Sequence, residues 1–279
     1  MMQPFQGYFI NLDRSPDRRR SIESELGKYG LGAAYARIAA VDGRNVARQV
    51  GKISPGAYGC FASHIQALGN GISTGQNVHI LEDDAVLSPS LVSIAGDFAR
   101  QPIFDQIDIL FTEVGIRPDS VTVAAFDKAC GSGADRSRQP VRLLDLKNVV
   151  WFGMTSYLVA RRCVAALHAV LKTELDNGPT LPIDLRIRHL VDTGRLRAAV
   201  CLPFATSIDL ELDANSTIRD VDRSRIATNI IRHAFFRHAD PGVMKAALEK
   251  YCSVGALDGR RSALQQAITF TMFGDFRLP

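Results

Sequence analysis

Three consecutive carboxylates, Glu82, Asp83 and Asp84, close the short apolar run Asn77-Val78-His79-Ile80-Leu81. Such a run reads as a buried strand whose last residues emerge at a sheet edge, where like charges repel unless a cation sits among them. Strand side chains alternate, so Glu82 and Asp84 are expected on one face and Asp83 on the other. That acid-x-acid pair offers hard oxygen ligands to Mn2+ or Mg2+, ions that commonly arrive with a substrate phosphate. The plain alternative is a solvated acidic turn, and the company the motif keeps argues against it.

Further candidates stand where strands are expected to end. Asn11 and Arg14 follow the apolar segment Phe5 to Leu12, and Asp42-Gly43 follows Tyr35 to Val41. An acid after a strand, with a glycine that permits a sharp turn, can hydrogen-bond a ribose or base; it is also a common turn. Asp184, in Leu181-Pro182-Ile183-Asp184, sits at a helix start. There it is either a cap worth ~1 kcal/mol or a carboxylate apart from the acidic cluster, suited to a general base. Glu113 and Asp108 also lie near expected strand ends and compete for that role. Cys60 and His64 are four apart, but no orienting third group or oxyanion device accompanies them, so a packed helix is expected. No Gly-Lys-Ser/Thr follows Gly56, which excludes a Walker phosphate loop.

The elements that must position these residues read as α/β. Phe5 to Leu12 is a strand, and Ser15-Pro16-Asp17 starts a helix with a hydroxyl cap, a proline and an acid at the positive end of the dipole. Ile22, Leu26 and Tyr29 then recur at helical spacing and Gly30 can close the helix. Strand, turn, helix opens an α/β nucleotide-binding domain, whose ligands bind at the carboxyl ends of strands. Ser54 to Gly59 reads as a loop before a helix carrying Phe61, Ile65, Leu68 and Ile72 on one face. Strands are expected at Asp108 to Phe111 and Leu196 to Leu202, and a strand pair bent at Gly153 within Val149 to Ala160, with a helix at Arg161 to Lys172. Pro118 to Pro140, rich in glycine and small residues, reads as an excursion near the site or a mobile lid.

The 279 residues, 46% hydrophobic and 22% charged, suit a soluble globular protein of one or two domains. No apolar run reaches membrane-spanning length, and Met1 to Ile10 lacks the features of a signal peptide, so a cytosolic location is expected. Five cysteines without a C-x-x-C pair suggest buried free thiols rather than disulfides or zinc. From Ser216 to Pro279 ten positive residues face six negative ones, which accounts for the whole net charge of +4. A basic helical tail of this kind suits an anionic membrane surface or a solvated helix face. Within it Ile226, Ile230, Phe235 and Phe236 form an apolar face, beside Arg232, His233, Arg237 and His238, for packing or for membrane contact.

Several segments, in order, resemble glycosyltransferase family 25, which contains bacterial lipooligosaccharide galactosyltransferases and collagen galactosyltransferases. They are Tyr8 to Arg14 with Asp17-Arg18-Arg19, Ala40 to Gly43, Gly59 to His64, Ile80 to Ala85, Gly153 to Tyr157 and Pro182 to Asp184. The likeness covers residues 1–215, a catalytic domain, and leaves 216–279 as a helical basic extension. It implies a GT-A type fold with a mixed, mostly parallel sheet flanked by helices. It further implies a UDP-sugar donor, UDP-galactose first, with Mn2+ or Mg2+, and inversion at the sugar carbon. Asp84 and Glu82 would hold the metal; Asn11, Arg14 and Asp42, with Glu82 and Asp83, would line the nucleotide; Asp184 would be the base. A histidine from late in the chain, His233 or His238, is a candidate to complete the metal shell. The expected acceptor is a glycan such as lipopolysaccharide or a lipid-linked oligosaccharide at the inner face of the cytoplasmic membrane, and no nucleic-acid partner is expected. The rivals are another donor such as UDP-glucose, an inactive glycan- or partner-binding module, and a nucleotidyltransferase that would release pyrophosphate.

Overall fold

Strand β1 (Phe5–Asn11) is apolar on both faces because it lies inside a sheet covered on both sides. Tyr8 and Ile10 enter one hydrophobic cluster and Phe5 and Phe9 the other, the alternation that a pleated strand imposes. The computed structural model describes residues 5–46, 51–117, 119–131, 136–210, 223–240 and 242–247.

Within these, the main sheet has seven strands. Beyond β1 they are β2 (Tyr35–Ala39), β3 (Asn77–Glu82), β5 (Ile109–Phe111), β7 (Arg142–Asp145), β9 (Ser156–Val159) and β10 (Ala198–Leu202), in the order β2-β1-β3-β9-β5-β10-β7. β2, β1 and β3 pair in parallel, as do β5 and β10, whereas β9 and β7 run opposite to their neighbours. The expected mixed, mostly parallel α/β sheet is therefore present. Two short antiparallel ribbons join β4 (Ala85–Leu87) to β11 (Thr206–Ile208) and β6 (Gly115–Ile116) to β8 (Trp151–Phe152). Helices α1 (Pro16–Lys28) and α3 (Ser90–Arg100) cover one face through Ile22, Leu26, Leu91, Ile94 and Phe98. On the other lie α2 (Pro55–Ile72), α4 (Ser120–Cys130), α5 (Arg161–Asp176), α6 (Ile183–Asp192) and α7 (Arg223–Ala234).

Three local expectations need correction. The stretch read as a loop before Cys60 is already helix from Pro55, because Ser54 caps it: its Oγ accepts from the Ala57 amide at 3.2 Å, and the proline stands in the first turn. Ser15 ends the preceding turn without such a bond, so the boundary is right and the hydroxyl cap is not. Between residues 118 and 140 the described residues include α4, whose Phe126 packs against Phe204 and Phe235 in the core; the lid reading fails because these apolar positions recur at helical spacing. Of the two readings of the tail's apolar face, packing holds: Ile230, Phe235 and Phe236 are at most 3% exposed. The expected domain boundary near residue 215 and everything after residue 247, Cys252 included, lie outside the described residues. Cys60, Cys130, Cys163 and Cys201 are free thiols, and no described helix is long and apolar enough to cross a membrane.

Two glycines let the turn after β2 touch the start of α2. A Cβ on Gly43 would lie 1.7 Å from the Pro55 carbonyl oxygen, and one on Gly59 would lie 2.3 Å from that of Val41. These are backbone collisions with no flexible side chain to yield. Gly43→Ala is expected to lower stability by about 1–3 kcal/mol, read as a drop in the denaturant midpoint at unchanged m.

Candidate active site

A cavity of about 650 Å³ opens at the carboxyl ends of β1, β2 and β3. Its walls carry four arginines, Arg14, Arg18, Arg44 and Arg232, and five acids, Asp42, Glu82, Asp83, Asp84 and Asp184. Asn11, Arg14, Asp42, Glu82, Asp83, Asp84 and Asp184 therefore lie on one cavity, although they reach it from four separate regions of the chain.

β3 stops at Glu82, and Asp83-Asp84 form a turn into β4 rather than continuing the strand. The strict alternation expected of the three acids is lost for that reason. A single guanidinium, Arg18 on α1, reaches both turn residues: Nη2 lies 2.6 Å from Asp83 Oδ1 and 3.0 Å from Asp84 Oδ2, and Nε donates to Asp83 at 2.7 Å. Asp83 also accepts from Asn11 Nδ2 at 2.6 Å. Asn11 in turn donates to the Ser15 carbonyl and accepts from Arg37 Nε, both at 3.1 Å. Buried and fully engaged, Asn11 positions the turn between β1 and α1. Arg14 and Asp42, on the opposite lip, form an ion pair with each other.

Asp84 retains one buried oxygen, Oδ1, without a hydrogen-bond partner. Burial pushes its carboxyl up to about 7; Arg18 pulls it down, while the like charges of Glu82 and Asp83 add to the rise. An orphaned oxygen on an acid whose charge is disfavoured by burial, beside a second carboxylate, is a donor set that fits a hard divalent cation. Glu82 behaves differently. Burial raises it too, but a hydrogen bond from His64 and the charges of Arg232 and Arg18 more than offset this and hold it below its usual range.

His64 was set aside at the sequence level as a packed helix residue, yet it faces the cavity. Its Nδ1 lies 2.9 Å from the Tyr157 hydroxyl and its Nε2 3.3 Å from Glu82 Oε1. Cys60, one turn earlier, lines the same wall; among the described residues its Sγ, a His64 nitrogen and a Glu82 oxygen are a trio all within 4.8 Å of one another. Burial first, then the charges of Glu82, Asp184 and Asp84, hold the Cys60 pKa well above the ordinary thiol range, so it is no nucleophile as it stands.

Asp184 stands in the first turn of α6, accepting from the Gly153 amide at 3.0 Å and from Leu185 N at 2.9 Å. Gly153 adopts φ +88, the conformation that lets the β8–β9 turn present its amide to that carboxylate. The two rival bases are elsewhere. Asp108 accepts from Arg197 N at 2.9 Å and from Arg162 at 3.1 Å, and does not line the cavity. Glu113 is fully buried behind the wall, bound by Arg232 through Nε at 2.7 Å and Nη2 at 2.6 Å.

Arg232 is the residue that sequence reasoning missed most completely. Burial works against its charge, but Glu113 outweighs this and the guanidinium stays charged. Nη2 also donates to Thr155 Oγ1 at 2.9 Å, so α7 is tied to the β8–β9 turn beside Asp184. The late histidines do not reach the cavity. His233 is neutral, its pKa lowered by burial to about 4, and contacts Ser207 Oγ at 3.2 Å and Asp240 N at 3.3 Å; His238 is exposed.

Comparison with known proteins bears on the whole arrangement. No curated protein matches the chain. Among solved structures, a galactosyltransferase, LgtC, in complex with donor and acceptor sugar analogues, aligns with 93% of this chain and 100% of its own, at 10% identity and a TM-score of 0.33. So loose a superposition says nothing about substrate. The family model described as glycosyltransferase family 25 (LPS biosynthesis protein) matches residues 5–185, from β1 to the start of α6, a span containing every charged side chain of the cavity except Arg232. The chain therefore belongs to glycosyltransferase family 25.

Proposed function

We propose that this glycosyltransferase moves a hexose, galactose first, from its UDP-sugar to a hydroxyl of a glycan acceptor such as lipopolysaccharide or a lipid-linked oligosaccharide, with inversion. The observation that carries this reading is the cavity itself, where the acids of the β3–β4 turn oppose Arg18 and Arg232 at the carboxyl ends of three parallel strands. A diphosphate needs such a surface: guanidiniums for its oxygens and carboxylates for a bridging cation.

Asp84, through Oδ1, and Glu82 are the residues that would hold Mn2+ or Mg2+. When bound, that ion neutralises the diphosphate and makes it a better leaving group. Arg18 keeps Asp83 and Asp84 in place, and Arg232, fixed by Glu113 and Thr155, supplies a permanent positive charge where the leaving phosphate gains its negative one. Arg14 and Asp42, with Asn11 behind them, form the nucleotide side. Asp184 takes the acceptor proton. Each carboxylate oxygen has two lone pairs, so the Gly153 and Leu185 amides fix the group and still leave it able to accept. The acceptor oxygen attacks the anomeric carbon, the bond to the β-phosphate oxygen breaks on the opposite face, and UDP leaves. The charge excess of residues 216–279, not their inward-packed apolar face, is the proposed attraction to an anionic membrane at its cytoplasmic side.

The test is a panel of UDP-sugars with Mn2+, followed by analysis of the nucleotide released. UDP released from a UDP-sugar supports transfer; pyrophosphate released when UTP and a sugar 1-phosphate are supplied instead would reveal a nucleotidyltransferase. Asp184→Ala is expected to lower kcat by about 100-fold, with UDP affinity changed less than about twofold. Equal losses in both would make Asp184 a scaffold for the Gly153 turn instead.

A further inference from the structure

Cys60 and His64 stand one helical turn apart on α2, which aims both side chains the same way, and Glu82 at the end of β3 meets them from the adjacent strand. The three ligand atoms lie within 4.8 Å of one another. The separation of 3.3 Å between His64 Nε2 and Glu82 Oε1 is the edge of a tetrahedron with bonds of about 2.0 Å, the length of Zn–N and Zn–O bonds. A 3.3 Å gap is long for a charge-assisted hydrogen bond, but it suits two ligands of one ion. Tyr157, fully buried, holds the far nitrogen of His64 at 2.9 Å and so fixes the ring, the part that outer partners play in metal sites.

From this geometry we infer that Cys60, His64 and Glu82 form a binding site for a thiophilic divalent cation of the Zn2+ class, separate in chemistry from the hard oxygen set at Asp84. Sulfur, imidazole and one carboxylate select Zn2+ over Mn2+ or Mg2+. On binding, the Cys60 S–H bond breaks and its proton leaves to solvent while the S–metal bond forms. With the ion bound, the His64 proton lies on Nδ1, donated to the Tyr157 oxygen, in place of the Nε2–H that bonds Glu82 in the metal-free protein, and Nε2 ligates. The two anionic ligands balance the cation's charge. The fourth position opens into the cavity, so the ion keeps a water there. Because Glu82 belongs to both donor sets, Zn2+ at this site withdraws it from the hard-ion position. Thiophilic cations therefore inhibit the transferase; this consequence, unlike the site itself, rests on the function proposed above.

Co2+ provides a readout independent of activity. The full-length chain, stripped of metal, is titrated with Co2+ and followed by absorption. The expected spectrum has a near-ultraviolet thiolate-to-cobalt charge-transfer band and the intense visible bands of four-coordinate Co2+, and Zn2+ bleaches both. Cys60→Ser removes the charge-transfer band with the far-UV circular dichroism unchanged. His64→Ala weakens Zn2+ binding by more than the roughly 10–100-fold that loss of an outer partner costs. Asp84→Asn leaves the band intact. Absence of the band in the parent, or its persistence in Cys60→Ser, overturns the site. Calorimetry of UDP with Mn2+ on the same preparation reads the transferase assignment separately: lost UDP binding with an intact cobalt band removes the function and keeps the site, and the converse removes the site alone.

Discussion

Asp84→Asn is expected to lower transfer by at least about a thousandfold while making the metal-free protein more stable at pH 8 than the parent. The first half follows from the donor set: Asp84 Oδ1 is the buried, unpartnered oxygen of the acidic turn, and a bound cation contributes several kcal/mol to the leaving group's charge. The second half follows from burial. In the folded protein the Asp84 carboxyl titrates at about 7, well above its unfolded value, because its charge is buried beside Glu82 and Asp83. The folded state thus holds that proton more tightly than the unfolded state, and stability is lost as pH rises from about 4 through about 7. Asparagine carries no such charge and still accepts from Arg18 through its oxygen. In EDTA, the melting temperatures of variant and parent should lie close at pH 5 and diverge by pH 8, by the equivalent of roughly 2–4 kcal/mol. Adding Mn2+ should raise the parent and leave the variant unmoved. A variant less stable than the parent at pH 8 in EDTA would mean that the turn needs the Asp84 charge for its own architecture.

The second large effect lies behind the cavity. Glu113→Ala is expected to destabilise the protein by about 3–5 kcal/mol, because it strands the Arg232 guanidinium, 9% exposed at its side chain, without its only carboxylate partner among the described residues. Deleting both members, Glu113→Ala with Arg232→Met, should recover much of that loss, since two apolar groups need no solvation. Activity should not recover with it. If Arg232 merely pins α7, the double variant regains transfer along with stability; if it meets the leaving phosphate, the protein is stable and slow. Urea midpoints and kcat/KM on the four members of this cycle separate the two roles.

What the chain disclosed by pattern alone divides along physical lines. Carboxyl ends of parallel strands were legible because apolar runs at 5–12, 35–41 and 77–81 each stop at a polar residue, and those three strands do lie side by side. Asn11, Asp42 and Glu82 were found by that signal. Asp184 was found from the proline-acid helix start. Arg18 was not assigned a role, because its partners Asp83 and Asp84 lie 65 and 66 positions later and no local spacing announces them. His64 was discounted because its partners, Tyr157 and Glu82, come from β9 and β3 and no local spacing announces them. Arg232 was hidden by its setting: one basic residue in a helix full of them, distinguished only by a buried carboxylate 119 positions earlier. The Pro55 helix start was misread because Gly56 and Gly59 looked like a loop, whereas Gly59 serves close backbone approach to Val41 and Gly43. The turn at Asp83 escaped because a run of three acids looks the same whether the strand continues or ends.

The proposed function requires the cavity to hold a uridine diphosphate and a divalent cation together. Isothermal titration of UDP, GDP, CMP and ADP into the full-length protein, with Mn2+ and with EDTA, tests it most directly. The expected result is tight UDP binding that requires Mn2+, disappears in Asp84→Asn and is not matched by the other three nucleotides. Failure of all four nucleotides to bind under either condition would contradict the account, and leave the cavity as the recognition site of a glycan- or partner-binding module.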